Sequence, residues 1–164
     1  SNTINVWSSV RSVLPRTIGK WYMEIAVSGD TNTRYGFGLA NASAALNVTP
    51  GSAGSIQYYS NGPIIRNGTT VASLANYSGG QRVMIATDGI KVWFGVNGTW
   101  VLSSNPATNV GGFAHPDNPN DPLYVFLSLH NLTSGAVTTG FFTANFGATA
   151  FTYTIPTGFT AWRG

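Results

Sequence analysis

Hydrophobic and polar positions alternate with a period of two along most of the chain. From Trp21 to Val27, the residues Trp21, Met23, Ile25 and Val27 share one face, and Tyr22, Glu24 and Ala26 share the other. That pattern predicts a half-buried strand. Tyr35, Phe37 and Leu39 alternate with Gly36, Gly38 and Ala40, and the glycines predict close approach of another backbone or a bend. Further strands are predicted over 55–60, 69–74, 82–87, 90–96, 99–102, 140–146 and 151–155. The run from Leu123 to Leu129 is apolar at nearly every position and predicts a central strand covered on both faces. Turn chemistry separates these segments at Asn61-Gly62-Pro63, Asn67-Gly68, Asp88-Gly89 and Asn97-Gly98, the last being the strongest short hairpin signal. No window sustains a helical apolar period. About ten to twelve short strands with turns between them predict a sandwich or barrel.

At 164 residues the chain fits one domain, a size single β-sandwiches reach. It shows no internal repeat and no linker. Ser1-Asn2 does not read as a natural start, so the chain is expected to be one domain excised from something longer, with residues 1–14 as an extra N-terminal strand region. Aromatics make up 13% and charged residues only 8%, against roughly a quarter charged in ordinary soluble domains. Gly, Ser, Thr and Asn fill the difference, which suits an exposed, extracellular surface.

The net charge of +3 rests on eight dispersed basic residues, Arg11, Arg16, Lys20, Arg34, Arg66, Arg82, Lys91 and Arg163. None are adjacent, so no phosphate-tracking stripe points to nucleic acid. Disulfides and thiolate metal sites are excluded because there is no cysteine. No apolar run approaches the roughly twenty residues of a membrane span. Six Asn-x-Ser/Thr sequons, at Asn41, Asn47, Asn67, Asn76, Asn97 and Asn131, read as composition rather than glycosylation.

Catalytic chemistry finds few parts. Glycoside hydrolysis needs two carboxylates flanking the scissile bond, and the chain has five: Glu24, Asp30, Asp88, Asp117 and Asp121. Asp30 and Asp88 occupy turn positions, and only Asp117 and Asp121 sit close enough in sequence to pair. His115 and His130 meet no Gly-x-Ser-x-Gly nucleophile elbow and do not by themselves complete a zinc site. The expectation is no enzyme and no cofactor. One metal alternative stands open: Asp117, Asn118, Asn120 and Asp121 offer oxygen ligands suited to Ca²⁺, although prolines 116, 119 and 122 make a plain turn the competing reading.

Five motifs in order carry a resemblance: Gly19-Lys20-Trp21-Tyr22-Met23-Glu24, then Gly36 to Gly38, Asp88-Gly89 through Phe94 to Asn97-Gly98, Pro122-Leu123-Tyr124 through Ser128-Leu129, and Asn145-Phe146-Gly147. Over residues 15–162 their order and spacing resemble the SPRY family, in the style of phage and bacterial members. The segments 4–15 and 103–122 have no counterpart in the family pattern. The resemblance implies an all-β, antiparallel two-sheet sandwich, the SPRY or concanavalin A-like jelly roll, acting in recognition rather than catalysis. The Glu-x-Asp-x-x-Glu strand of glycanases that share this architecture is missing. Trp21, Phe94, Phe146 and Phe151 are then expected in the core, Glu24 satisfying local backbone or hydroxyl groups, and Asn145 and Gly147 shaping a bulge.

The hairpin sharpens the expectation. A two-residue turn at Asn97-Gly98 places Gly95 opposite Trp100, Phe94 opposite Val101 and Trp93 opposite Leu102. With Phe94 inward, as the resemblance implies, Trp93 and Trp100 face outward or against another layer, and the Trp100 ring can lie over Gly95. A flat aromatic with polar neighbours suits a sugar ring, and packing under a loop or against a subunit is the alternative. A second candidate surface gathers Tyr58, Tyr59, Asn61 and Arg66 with His115 and Asp117 at one loop end. The expected role is a recognition module on a phage virion or tail fibre, exposed outside the cell, with a host cell-surface glycan or receptor as partner and a homotrimer within the parent fibre as its setting. The alternatives are a structural virion domain packing on neighbouring subunits and a SPRY domain that binds a protein or peptide.

Overall fold

The computed structural model describes residues 7–28, 33–48, 51–131 and 141–163. Its strands are β1 (Trp7–Arg11), β2 (Trp21–Ser28), β3 (Thr33–Ala40), β4 (Ser55–Tyr59), β5 (Pro63–Arg66), β6 (Thr69–Ser73) and β7 (Arg82–Thr87). They continue as β8 (Lys91–Val96), β9 (Thr99–Trp100), β10 (Phe113–Ala114), β11 (Tyr124–Asn131), β12 (Phe141–Asn145) and β13 (Thr160–Ala161). One sheet runs β1-β11-β3-β4-β5-β6 and the other β10-β8-β7-β2-β12, with β13 joined to β2 and β9 to β8. All pairs are antiparallel except β13, which runs parallel to β2. The expected two-sheet sandwich is present. No helix among the described residues is long and apolar enough to cross a membrane.

The main core lies between the sheets, where the period-two faces meet. Met23, Ile25 and Val27 of β2 and Val83 and Ile85 of β7 pack against Tyr35, Phe37 and Leu39 of β3 and Val125 and Leu127 of β11. Phe94 joins them, inward as expected. β11 is an inner strand of its sheet, and its opposite face is also covered, where Phe126 packs on Ala40 and Ala44. The glycines of β3 are there for contact: a Cβ on Gly38 would stand 1.9 Å from the Ile56 carbonyl oxygen, and one on Gly36 would stand 2.4 Å from the Tyr59 ring.

Strand β2 differs from its expected half-burial. Its second face is sealed too, with Tyr22 and Glu24 fully buried. Tyr22, Met84, Ala86 and Trp93 form a second apolar cluster with Phe159, against which Phe151, Tyr153 and Ile155 pack. Residues 151–155, predicted as a strand, instead cross this outer face as an irregular segment. The reason is Glu24. Its carboxylate accepts the Thr152 N–H at 3.0 Å, the Tyr153 N–H at 2.8 Å and the Tyr22 hydroxyl at 2.9 Å. Those amides are satisfied by a side chain, so no neighbouring strand is needed. Arg82 lies 3.5 Å from the same carboxylate. Burial first, and Glu24 second, raise the Tyr22 phenol well above its ordinary value and keep it a donor.

Two other local expectations are corrected. Residues 63–66, placed between turns, form β5 because Ile64 is buried and pairs with Tyr58. Asn145 and Gly147 make a turn rather than a bulge: the Asn145 amide oxygen accepts the Gly147 N–H at 2.9 Å, and its Nδ2 reaches the Thr149 and Ala150 carbonyls. The N-terminal region contributes one edge strand, β1, anchored by Trp7 stacked on His130 at 4.4 Å. Of the expected 140–146 strand, residue 140 lies outside the described residues, as does Asp30.

Two outcomes follow from these contacts. Glu24→Ala orphans two amides and a phenol and is expected to cost about 3 kcal/mol in urea unfolding, with Glu24→Gln costing less. Burial, then the Arg34 guanidinium, lowers the His130 pKa below its ordinary 6.5. The folded state therefore binds fewer protons than the unfolded chain, and stability falls as pH drops through about 6.5 toward the lower folded value. His130→Phe retains a ring for Trp7 and should flatten that slope in thermal melts between pH 7.5 and 5.

Candidate functional site

The Asn97-Gly98 hairpin forms as predicted, with Gly95 opposite Trp100 and Val96 opposite Thr99. It then stops. Past Trp100 the chain leaves the sheet in a tight turn over Val101–Ser103, closed by the Ser104 N–H donating to the Val101 carbonyl at 3.1 Å. Leu102 and Ser103 both take left-handed backbone conformations, φ 55° and 54°. Such a conformation costs an L-residue about 1 kcal/mol or more. Leu102 gains no burial in exchange, since its side chain is 66% exposed. The expected pairing of Phe94 with Val101 and Trp93 with Leu102 is thus absent, although Val101 still packs on the main core.

That departure settles the fate of the two tryptophans. The chain returns over residues 105–112 and closes on Trp93, whose indole N–H donates to the Val110 carbonyl at 3.0 Å. Gly112 makes the approach feasible, because a Cβ there would stand 2.7 Å from the Trp93 ring. Trp93 is 1% exposed and meets Phe159 edge-on. It is therefore a buried member of the second apolar cluster, not part of an exposed platform. Trp100 stays half-buried. Its ring lies over Gly95, 3.1 Å from where a Cβ would be, and meets Tyr22 edge-on.

A groove of about 520 Å³ opens beside Trp100, between the hairpin and the segment that follows β6. Trp100, Val101, Leu102 and Ser103 form one wall, and Leu74, Ala75 and Asn76 form the other. Tyr58 closes the floor with Val96, its hydroxyl donating to the Ala75 carbonyl at 2.5 Å. Gln81 and Thr99 complete the lining. No lining residue is charged. Tyr77, buried beneath the segment, donates its hydroxyl to the Tyr58 carbonyl at 2.9 Å and to that of Tyr35 at 3.2 Å, fixing the far wall. The groove therefore unites Trp100 and Tyr58, which the sequence had placed on two different surfaces.

The expected loop-end surface divides. Tyr58 and Tyr59 are consecutive in β4 and point to opposite faces. Tyr59 is buried on the outer face of the first sheet, where its hydroxyl donates to Gln57 and accepts the Gly51 N–H, and burial pushes its pKa up to about 12. Asn61 is exposed in the turn before β5. Arg66 and His115 do meet across the sequence, but through the backbone: the guanidinium donates to the His115 carbonyl at 3.0 and 2.8 Å. The buried His115 ring accepts the Asp117 N–H on Nδ1 at 3.0 Å. These groups hold the two loops together. In the 117–121 loop, Asp117 accepts from Asn41 and Asp121 accepts from Asn118 at 3.1 Å, while Asn120 is left-handed with its N–H on the Gly89 carbonyl.

No family model matches the chain, and no curated protein matches it. Solved structures do. The crystal structure of the SPRY domain of human HERC1 aligns at a TM-score of 0.64 and 12% identity, over 86% of this chain and 83% of that one. A second human SPRY domain aligns at 0.64 and 15% identity, over 90% and 89%. The chain has the SPRY fold. At this level of identity the likeness extends to the architecture alone.

Leu102→Gly tests whether the turn is strained. It should leave the melting temperature unchanged or raise stability by up to about 1 kcal/mol, because glycine accepts positive φ freely. A loss of stability would show that Leu102 is held there by contacts rather than against its own preference.

Proposed function

We propose that the chain is a non-catalytic recognition module that takes a neutral, extended segment of a partner protein in the groove beside Trp100. The observation that carries this reading is Leu102, a large apolar side chain held exposed on a left-handed turn at the rim of an uncharged groove. Backbone strain of this kind gathers at binding sites, and an exposed leucine beside a half-buried tryptophan suits an apolar side chain of a partner. The neighbouring edge strand β6 supports it. Its residues Thr69, Thr70, Val71, Ala72 and Ser73 carry no charge and no proline, the usual guards of a free edge, so an extended segment can pair there on its way into the groove. SPRY domains typically mediate protein interactions, which agrees.

A second reading rests on a different observation. Trp100, Asn76, Gln81, Thr99 and Ser103 give the groove an aromatic face with amide and hydroxyl groups around it, a combination that also suits a sugar ring. On that reading the module sits on a phage virion or tail fibre and binds a host surface glycan, in keeping with a chain only 8% charged.

One experiment separates them. The domain is screened against a displayed peptide library and a glycan array, with Leu102→Gly and Trp100→Ala run alongside. Peptides that bind the wild type and lose about tenfold or more on Leu102→Gly support the protein-binding groove. Glycan binding lost in Trp100→Ala but retained in Leu102→Gly moves the assignment to the second reading. Silence on both, from a folded protein, removes the groove as the functional site.

A further inference from the structure

A second opening lies on the opposite flank of the sandwich and shares no residue with the Trp100 groove. The strand orders place β6 and β8 with β9 on one flank, and the edge strands β1 and β12 on the other. On that second flank the segment leaving β1 passes the end of β12 and the chain's final turn. Between them is a groove of about 430 Å³. Its floor is apolar, made of Ala144, Phe146 and the buried Trp162, which belong to the edge of the main core. Its outer wall is unusual. Val13 and Leu14 are 89% and 70% exposed, consecutive aliphatic side chains on an irregular segment with nothing over them among the described residues. A contiguous exposed apolar patch beside a groove marks a contact surface.

The charge at the rim says what kind of contact. Arg16 and Arg163 both line the groove, and no carboxylate does. The Arg16 guanidinium donates only to the neutral carbonyls of Trp162 and Arg163 and lies over the Trp21 ring at 4.6 Å. Arg163 is exposed. Among the described residues the only ion pair is Arg82 with Glu24, so both rim charges are left without an acid. In a chain with five carboxylates in all, two uncompensated arginines around an apolar floor form a complementary frame for an acidic ligand.

We infer that this flank docks a partner-protein segment in which a bulky apolar side chain is bracketed by carboxylates. The apolar side chain lies between Leu14 and Trp162, and the carboxylates face Arg16 and Arg163. The surface is independent of the Trp100 groove, so one module engages two partner segments on opposite flanks.

The test uses the whole chain and fluorescence anisotropy with three labelled peptides: a Leu-Phe pair flanked by aspartates, the same pair flanked by lysines, and a Ser-Ser pair flanked by aspartates. The first is expected to bind saturably, more weakly as salt rises, and the other two at least about tenfold more weakly. Leu14→Asp and Arg163→Glu, both at exposed positions, should each weaken the first peptide by about tenfold while leaving the circular dichroism spectrum and melting temperature unchanged. Arg16 is left intact because it ties down the final turn. Equal binding of the lysine-flanked peptide, no binding of the first, or indifference to both variants overturns the assignment. So does a concentration-dependent dimer that Leu14→Asp dissolves, which would make a second copy the occupant. Binding to anionic phosphatidylserine vesicles in place of the peptide overturns it as well.

Discussion

The carboxylate of Glu24 is the interaction on which the outer half of this sandwich depends. It sits fully buried in the middle of β2, a place where a charge is expensive unless every lone pair is engaged. Two backbone amides, a phenol and the Arg82 guanidinium engage it. The amides come from residues about 128 positions away in sequence, so one side chain pins the C-terminal segment across the second sheet. Once pinned, that segment supplies Phe151, Tyr153, Ile155 and Phe159 to cover Tyr22, Met84 and Trp93. A two-sheet sandwich becomes three layers on this side.

The third layer determines what the hairpin can present. With Phe159 below it and residues 105–112 over it, Trp93 has no path to solvent. Trp100 is pressed onto Gly95 and Tyr22 and keeps only part of its ring outside. The hairpin cannot extend through Leu102 in its original register, because the chain must turn out at that point to return over Trp93. The left-handed pair at Leu102 and Ser103 is the geometric consequence. An aromatic platform of two rings, legible in the strand phasing, thus becomes a groove with one ring and an exposed leucine at its rim.

What could be foreseen follows the same division. Period-two alternation located β2 and β3, the Asp88-Gly89 turn separated β7 from β8, a near-continuous apolar run located β11, and the Asn97-Gly98 turn fixed the hairpin register through Trp100. These are local signals, carried by residues that pair with near neighbours or face one core. The Gly36 and Gly38 contacts were legible for the same reason. The 151–155 segment was not, since its alternation of apolar and polar residues serves a buried carboxylate from another strand rather than a sheet. Tyr77 was not, because a core residue in a loop has no period to announce it. Leu102 was invisible too: nothing about Val-Leu-Ser distinguishes a strained turn from the end of a strand.

The low charge content acquires a meaning only once the fold is seen. With charged residues at 8%, a surface patch differs from its surroundings less by sign than by whether it has any charge at all. The Trp100 groove has none, and the opposite flank has two arginines and no acid. In a protein richer in Glu and Asp those arginines would be paired on the surface and would carry little information. Here the shortage of acids leaves both charges without a carboxylate partner among the described residues, and the proposed docking surface rests on that. The dispersed remainder supports no continuous field. Long-range steering is weak in such a molecule, so the proposed selectivity rests on short-range complementarity, in an uncharged groove on one flank and a basic one on the other.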